Sequence, residues 1–172
     1  MKVAIENYEM YNNGILLCKW FDTNESTLEE VTEWCKEVAI NSGFNGDDME
    51  LFVADYEDDL GLFSGECLLN AYEVTEQLDG LSDDEVTGIS LMLEAGVVND
   101  LDEAIEKKDE IHNTGETDME DVAIEYIEST GGLDGMSDNL KYYFDYAALG
   151  RDMEIEGTYL TDEDGTIWEY VA

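Results

Sequence analysis

Proline is absent from all 172 residues, where average usage would supply about nine. Gly and Asn must therefore carry the turns. Basic residues are scarce as well: 7 Lys and Arg stand against 45 Asp and Glu, for a formal net charge of −38. A nucleic-acid-binding module needs a basic footprint, so that class is excluded. The same sign argues against docking on an anionic membrane surface. No run approaches the roughly 18 consecutive apolar residues of a membrane span. His112 is the sole histidine, and the three cysteines, Cys18, Cys35 and Cys67, form no C-x-x-C. A zinc site lacks ligands, and no cofactor is expected. The opening MKVAIENYEM holds one Lys and an early Glu6, unlike a secretory signal. The expectation is a cytoplasmic protein whose thiols are free core residues.

What is present is a folding composition. Hydrophobic residues make up 44 %, with 10 Tyr, 5 Phe and 3 Trp. An acidic disordered tail is poor in aromatics, so a folded protein with an extreme surface is expected. Val3-Ala4-Ile5, a turn at Tyr11-Asn12-Asn13-Gly14, and Ile15 to Phe21 predict a β-hairpin, because Asn-Gly between apolar runs favours that turn. Ser26-x-x-Glu29 predicts a capping box and a helix from about 27 to 40, stopping at Gly43. Residues 50–55 read as a strand. Cys67, Leu68, Ala71, Tyr72, Thr75 and Leu78 suit a helix, and Ser82-x-x-Glu85 caps another with Val86, Ile89, Met92 and Leu93 as its apolar face. Asn99 is expected to cap a short helix over 100–106.

Residues 110–112 suit a short strand. Thr117-x-x-Glu120 predicts a helix ending at Gly131-Gly132, and a further helix is expected over 137–149. The latter is apolar on nearly all sides around Tyr142 to Leu149, so most of it should enter a core. Arg151 is expected to pair with Asp152 or Asp145. A hairpin over 158–171, turning at Asp162-Glu163-Asp164-Gly165, closes the chain.

The acids are distributed along the whole length. Leu28, Val31, Trp34, Cys35 and Val38 share one helical face, with Glu29, Glu30, Glu33 and Glu37 opposite. Glu29, Glu33 and Glu37 form an i, i+4 row, about 6 Å apart along the axis. Like charges so placed cost a few tenths of a kcal/mol per pair. Asp121, Glu125 and Glu128 repeat the pattern opposite Met119, Val122, Ala123, Tyr126 and Ile127. Solvated faces ordinarily mix both signs, so this chain tolerates self-repulsion for a reason other than stability. Crowding of this kind should raise carboxylate pKa values and make mild acid stabilising.

Four explanations compete. EF-hand calcium binding fails at every candidate Gly: with Gly46 at position 6, Phe52 falls at position 12, and with Gly165 there, Leu160 falls at position 1. Carboxylate-pair catalysis, as in a hydrolase, needs only two acids and stays open, although no nucleophile-elbow, P-loop or zincin motif occurs. Adaptation to high salt fits the acid excess but not the plentiful Ile, Leu, Met and Tyr. The fourth is mimicry of nucleic acid. At duplex density of one charge per roughly 1.7 Å, this net charge corresponds to about 65 Å of helix. The partner would be a protein with a long basic groove.

The sequence resembles the ArdA antirestriction family, found on phages and other mobile elements. The match is carried by Asp121-Val122-Ala123, by Tyr126-Ile127-Glu128-Ser129-Thr130-Gly131, and by Tyr143-Phe144-Asp145-Tyr146-Ala147-Ala148-Leu149-Gly150-Arg151-Asp152. The Tyr-Asn-x-Gly turn, Trp20-Phe21 and Asp55-Tyr56-Glu57 add to it. The resemblance implies a non-enzymatic DNA mimic that blocks host Type I restriction-modification enzymes by occupying the DNA groove of their methyltransferase core, inside the bacterial cytoplasm. A CRISPR effector or another DNA-binding defence protein is the alternative target, and a carboxylate-pair hydrolase the alternative of another class.

The implied fold is α+β: an elongated row of three small domains (α+β, helical, α+β) with a strongly acidic surface, here 1–61, 62–108 and 109–172. The implied state is a homodimer through the C-terminal domain and its antirestriction segment, to which Tyr126, Ile127, Leu133, Met136 and Leu140 are assigned. The candidate phosphate-mimic carboxylates are Glu29, Glu30, Glu33, Glu37, Asp55, Glu57, Asp58, Asp59, Glu73, Glu76, Asp83, Asp84, Asp121, Glu125 and Glu128. Neither nucleic acid nor membrane is expected as a partner.

Overall fold

The computed structural model describes residues 1–47, 49–58 and 60–171. Contacts divide the chain into two compact units, meeting at Leu81 and Ser82. Each combines helices with a three-stranded antiparallel sheet, so the α+β class holds. Within residues 62–108, the helix over 68–78 contacts the first sheet and the helix over 83–94 the second.

The first unit runs β1 (Lys2–Asn7), α1 (Tyr8–Asn12), β2 (Lys19–Asp22), α2 (Leu28–Asn41), β3 (Leu51–Glu57) and α3 (Leu68–Leu78), with sheet order β2-β1-β3. Alternation along β1 sends Val3 and Ile5 to one face, where Phe21, Val31, Cys35, Val53, Leu68 and Ala71 close a core beneath α2 and α3. β1 and β2 pair as expected, but the connection differs. The Asn7 side chain accepts hydrogen bonds from the Glu9 and Met10 N–H groups and starts a five-residue helix that buries Met10. Gly14, at φ +77°, lies beyond that helix rather than in a two-residue hairpin turn. The Asn cap and the buried Met10 outweigh the local turn preference of Asn-Gly.

α2 also starts one residue later than its sequence motif implies. Thr27 and Glu30 form the capping box, because the Ser26 hydroxyl is committed to the Asp22 carbonyl at 2.6 Å. Gly43, at φ +86°, stands beyond its end. Of the three thiols only Cys35 is buried; Cys18 and Cys67 are exposed, against the expectation of core positions.

The second unit runs α4 (Asp83–Glu94), α5 (Leu101–Glu106), a 3-10 turn (Lys108–Glu110), β4 (Ile111–Asn113), α6 (Met119–Thr130), α7 (Asp138–Lys141), α8 (Tyr146–Glu156), β5 (Thr158–Thr161) and β6 (Ile167–Tyr170), with sheet order β4-β6-β5. The Ser82–Glu85 capping box and the closing hairpin are as the sequence predicts. Two caps move by one residue: Asp100 rather than Asn99 receives the Glu103 N–H, and Asp118 rather than Thr117 receives the Glu120 N–H. α4 lies close on the sheet at Gly88, where a Cβ would come within 2.8 Å of Ile111.

The helix expected over 137–149 is broken. α7 ends at Lys141, and the Asp145 side chain accepts from the Ala148 N–H at 2.9 Å to start α8 afresh. Consecutive aromatics propagate a helix poorly, and an Asp cap offers the backbone an alternative. Tyr142 and Tyr143 are left 92 % and 86 % exposed, so the expected burial of that stretch does not hold for them. Phe144 and Tyr146 form an edge-on ring pair at 4.8 Å.

α6 and α8 form the tightest helix pair of this unit, and Gly150 permits it: a Cβ there would overlap the Met119 carbonyl and approach the Glu120 nitrogen to 3.1 Å. The obstacle is backbone, which cannot rotate away. Gly150→Ala should therefore cost about 1–3 kcal/mol, despite its better helix propensity. Thermal unfolding reads this directly; an unchanged or raised melting temperature would contradict the close approach.

Candidate functional site: the carboxylate surface

Among the described residues the buried polar side chains are Asn7 and Thr23; no Asp or Glu is buried. Desolvating an unpaired carboxylate is too costly for so small a core, so the acids take the outer faces of the elements that build it. On α2, Val31, Cys35 and Ala39 are buried, while Glu29, Glu30, Glu33 and Glu37 are exposed. An open depression of about 600 Å³ lies along this helix, between Leu28, Glu29, Thr32, Glu33 and Lys36.

On β3, Asp55 and Glu57 are exposed on one strand face, and Glu57 pairs with Lys2 at 3.4 Å. Asp58 does something else. Its two oxygens accept from the Leu60 N–H at 3.3 Å and the Phe63 N–H at 2.6 Å, tying down the loop that carries the buried Phe63 ring. Asp59 lies outside the described residues. Glu73 and Glu76 are exposed on α3, Asp83 and Asp84 in the first turn of α4, and Asp121, Glu125 and Glu128 on α6. The candidates thus form separate rows on separate elements, not one cluster. Among the described residues no group of three His, Cys, Asp or Glu is placed to hold a metal ion.

Position along the helices sharpens the point. Acids in a first turn, such as Asp83 and Asp84, are favoured by the helix dipole. Acids in a last turn are not, yet Glu76, Glu94, Glu128 and Glu156 occupy last turns of α3, α4, α6 and α8, none of which has a basic residue there. Each such placement costs a few tenths of a kcal/mol. Negative charge is present where folding favours it and where folding opposes it.

Most of the few cations are engaged within the fold. Among the described residues, ion pairs join Lys2 to Glu57, Lys36 to Asp47, Lys107 to Glu103, and Lys108 to Glu85 and Asp109. Lys19 lies over the Phe21 and Trp34 rings instead, at 4.6 and 5.4 Å. Arg151 makes none of these pairs, contrary to the expected partnership with Asp145 or Asp152. It lines an open cavity of about 470 Å³ with Asp118, Glu120 and Glu154 at the start of α6. Of the described candidate carboxylates, Glu57 alone has a cation partner.

The fold does shift some ionisations. Lys108, followed by the Ser82 N–H and hydroxyl, holds Glu85 down at about 2. Lys107, followed by the Asn99 N–H and side-chain amide, does the same for Glu103, also at about 2. Partial burial pushes Asp162 up, but the Trp168 indole N–H at 3.0 Å and the Thr166 and Asp164 amides outweigh it and lower its pKa. Burial pushes the Cys35 thiol up to about 11, with Lys19 opposing. The carboxylates shifted here move down, opposite to the rise expected from crowding, because each has a local donor that a like-charged neighbour does not overcome.

The residues assigned to a subunit contact divide as well. Tyr126, Met136 and Leu140 are exposed, Ile127 is half-buried, and Leu133 is only 8 % exposed, covered by its own chain. Tyr142 and Tyr143, outside that assignment, are exposed as well. The Asp145-x-x-Ala148 cap was the local signal that could have exposed them, by ending the preceding helix.

Glu85 and Glu103 carry a sign for pH. Their folded pKa of about 2 lies below the ordinary 4.5, so the native state holds fewer protons than the unfolded chain. Their stabilisation is complete above about pH 5 and is lost as pH falls toward 2. The protection of α4 and α5 amides, corrected for the intrinsic exchange rate at each pH, should fall over that window, and Glu85→Gln should blunt the change. Exchange independent of pH-driven stability loss there would contradict the assignment.

A family model described as antirestriction protein (ArdA) matches residues 3–167. No curated protein matches the chain.

Proposed function

The chain belongs to the ArdA antirestriction family, and we propose that it works as a non-catalytic DNA mimic, occupying the DNA-binding groove of a host Type I restriction-modification enzyme in the bacterial cytoplasm. The observation that carries this reading is the placement of acid without regard to stability: exposed rows on α2, α3 and α6, largely without cation partners, continued into helix ends where the dipole opposes them. A basic groove built for phosphates meets such rows as it meets a duplex, through many weak, screened contacts and long-range attraction. The mimic carboxylates are the exposed candidates; Asp58 belongs with the loop it ties.

The same reading includes an elongated row of three small domains and a homodimer. For the dimer contact the exposed Tyr126, Met136 and Leu140 are joined by Tyr142 and Tyr143, aromatic side chains of the kind that anchor interfaces. Leu133 is buried within its own chain and is left out of that contact.

A distributed mimic and a discrete site respond differently to mutation. Losing one catalytic acid typically costs a factor of roughly 10² to 10⁴ in rate, whereas exposed charge contacts are worth about 0.2–1 kcal/mol each. Glu29→Gln alone should leave inhibition nearly intact. Neutralising Glu29, Glu33 and Glu37 together should weaken it and flatten its salt dependence, and adding Asp121, Glu125 and Glu128 should deepen the loss almost additively. Inhibition of target-enzyme DNA binding, assayed at two salt concentrations across this series, checks the claim. A single neutralisation that abolishes inhibition while fold and dimer survive would sink it.

A further inference from the structure

β2 is an edge strand, hydrogen-bonded to β1 on one side only. The segment leading into it is unlike the rest of the chain. Residues 10–21 form the longest run without an Asp or Glu, in a protein of net charge −38. Leu16 is 71 % exposed, Leu17 and Trp20 are exposed, and Cys18 is exposed between them. An open edge bearing uncovered apolar side chains is a template for pairing with another strand. Most natural edges are blunted by charge, and acids are abundant here, yet this edge carries none until Asp22.

We propose that this edge, extended by residues 15–18, which precede β2 without regular structure of their own, pairs antiparallel with the same segment of a second copy of the chain, joining two first-unit sheets. The charge pattern selects the occupant. Two copies of so acidic a chain repel nearly everywhere, and this is the longest stretch where they can approach without opposing carboxylates.

The sequence also selects the register. A two-fold axis across an antiparallel pair sets residues of the same parity opposite each other, since facing side chains share a sheet face. Centred on Cys18, the pairing sets Ile15 opposite Phe21, Leu16 opposite Trp20 and Leu17 opposite Lys19 of the second copy. Asp22 then faces only Gly14. Centring on Lys19 sets two ammonium groups face to face, and centring on Trp20 sets Asp22 against Cys18. Centring on Leu17 trades Ile15 and Leu16 for Asn13 and Gly14 opposite Phe21 and Trp20. The Cys18 register matches apolar with apolar at the Ile15–Phe21 and Leu16–Trp20 pairs, leaves Lys19 to pack along Leu17, and keeps both carboxylates and paired ammonium groups out of the seam. Aliphatic–aromatic cross-strand pairs such as Leu16 with Trp20 are the unit of sheet stabilisation.

This contact is separate from the one proposed for 126–143, and the centre of the register makes it testable by thiol chemistry. In the Cys67→Ser protein, Cys18 is the remaining exposed thiol, because Cys35 is buried. Diamide accepts the two electrons and two protons released when two Cys18 thiols join as one disulfide. The expected result is a covalent dimer on a non-reducing gel, absent in Cys18→Ser and retained in Tyr143→Glu. Its yield should rise with salt, which screens the mutual repulsion of the two copies. It should fall roughly tenfold in Leu16→Glu, a change at an exposed position that puts carboxylates into the pairing. Circular dichroism of each variant verifies that the fold is kept. No covalent dimer, a yield that falls with salt, a yield unchanged in Leu16→Glu, or one lost in Tyr143→Glu would each overturn the proposal.

Discussion

The structure depends on one constraint: like charge cannot be buried, and this chain has little opposite charge with which to neutralise it. No carboxylate enters a core among the described residues, so every element must keep a clean division between an apolar stripe and an acidic face. Helices supply that division with a stripe about a third of a turn wide, and short strands supply it by alternation. The result is two sets of thin elements over two small sheets, each with its own core. A larger single core would need a smaller surface for the same acids, and mutual repulsion opposes that.

The scarce cations are placed where they do most for the fold. Lys107 and Lys108 sit together at the end of α5 and pin Glu103 and Glu85, which also complete helix starts through Asn99 and Ser82. These acids are part of the scaffold, as are Asp58 at its loop and Asp162 at the closing turn. Glu30, Asp100, Asp118 and Asp145 serve likewise at helix starts, whereas the row of Glu29, Glu33 and Glu37 has no such duty. That separation, between carboxylates that the fold uses and carboxylates that it merely tolerates, is what distinguishes a functional surface from ordinary solvation. It also explains why the shifted carboxylates move downward: the fold ionises more firmly those it needs.

Much of this was legible in the sequence where the signal is local and uncontested. Ser82 with Glu85, the Asp162–Gly165 turn and the two faces of α2 and α6 required nothing beyond neighbouring residues. It failed where two local signals competed and tertiary contacts decided. Asn-Gly at 13–14 lost to the Asn7 cap and the burial of Met10. Ser26 lost to Thr27 because its hydroxyl is held by Asp22. The run through Tyr142 and Tyr143 read as a buried helix because periodicity cannot report that Asp145 starts a new one. For the candidate surface, exposure of the acidic rows followed from amphipathicity, but the structural duty of Asp58 depends on a loop closure that spacing does not encode.

The central claim is competition for a DNA groove, and the most direct measurement is displacement. Labelled duplex bound to a purified Type I methyltransferase core should be released by this protein with an occupancy of one inhibitor per groove. The inhibitor's apparent affinity should fall with rising salt along a slope comparable to that of the duplex itself, since both neutralise the same basic residues. Block of restriction with the duplex still bound, or displacement insensitive to salt, would contradict the account.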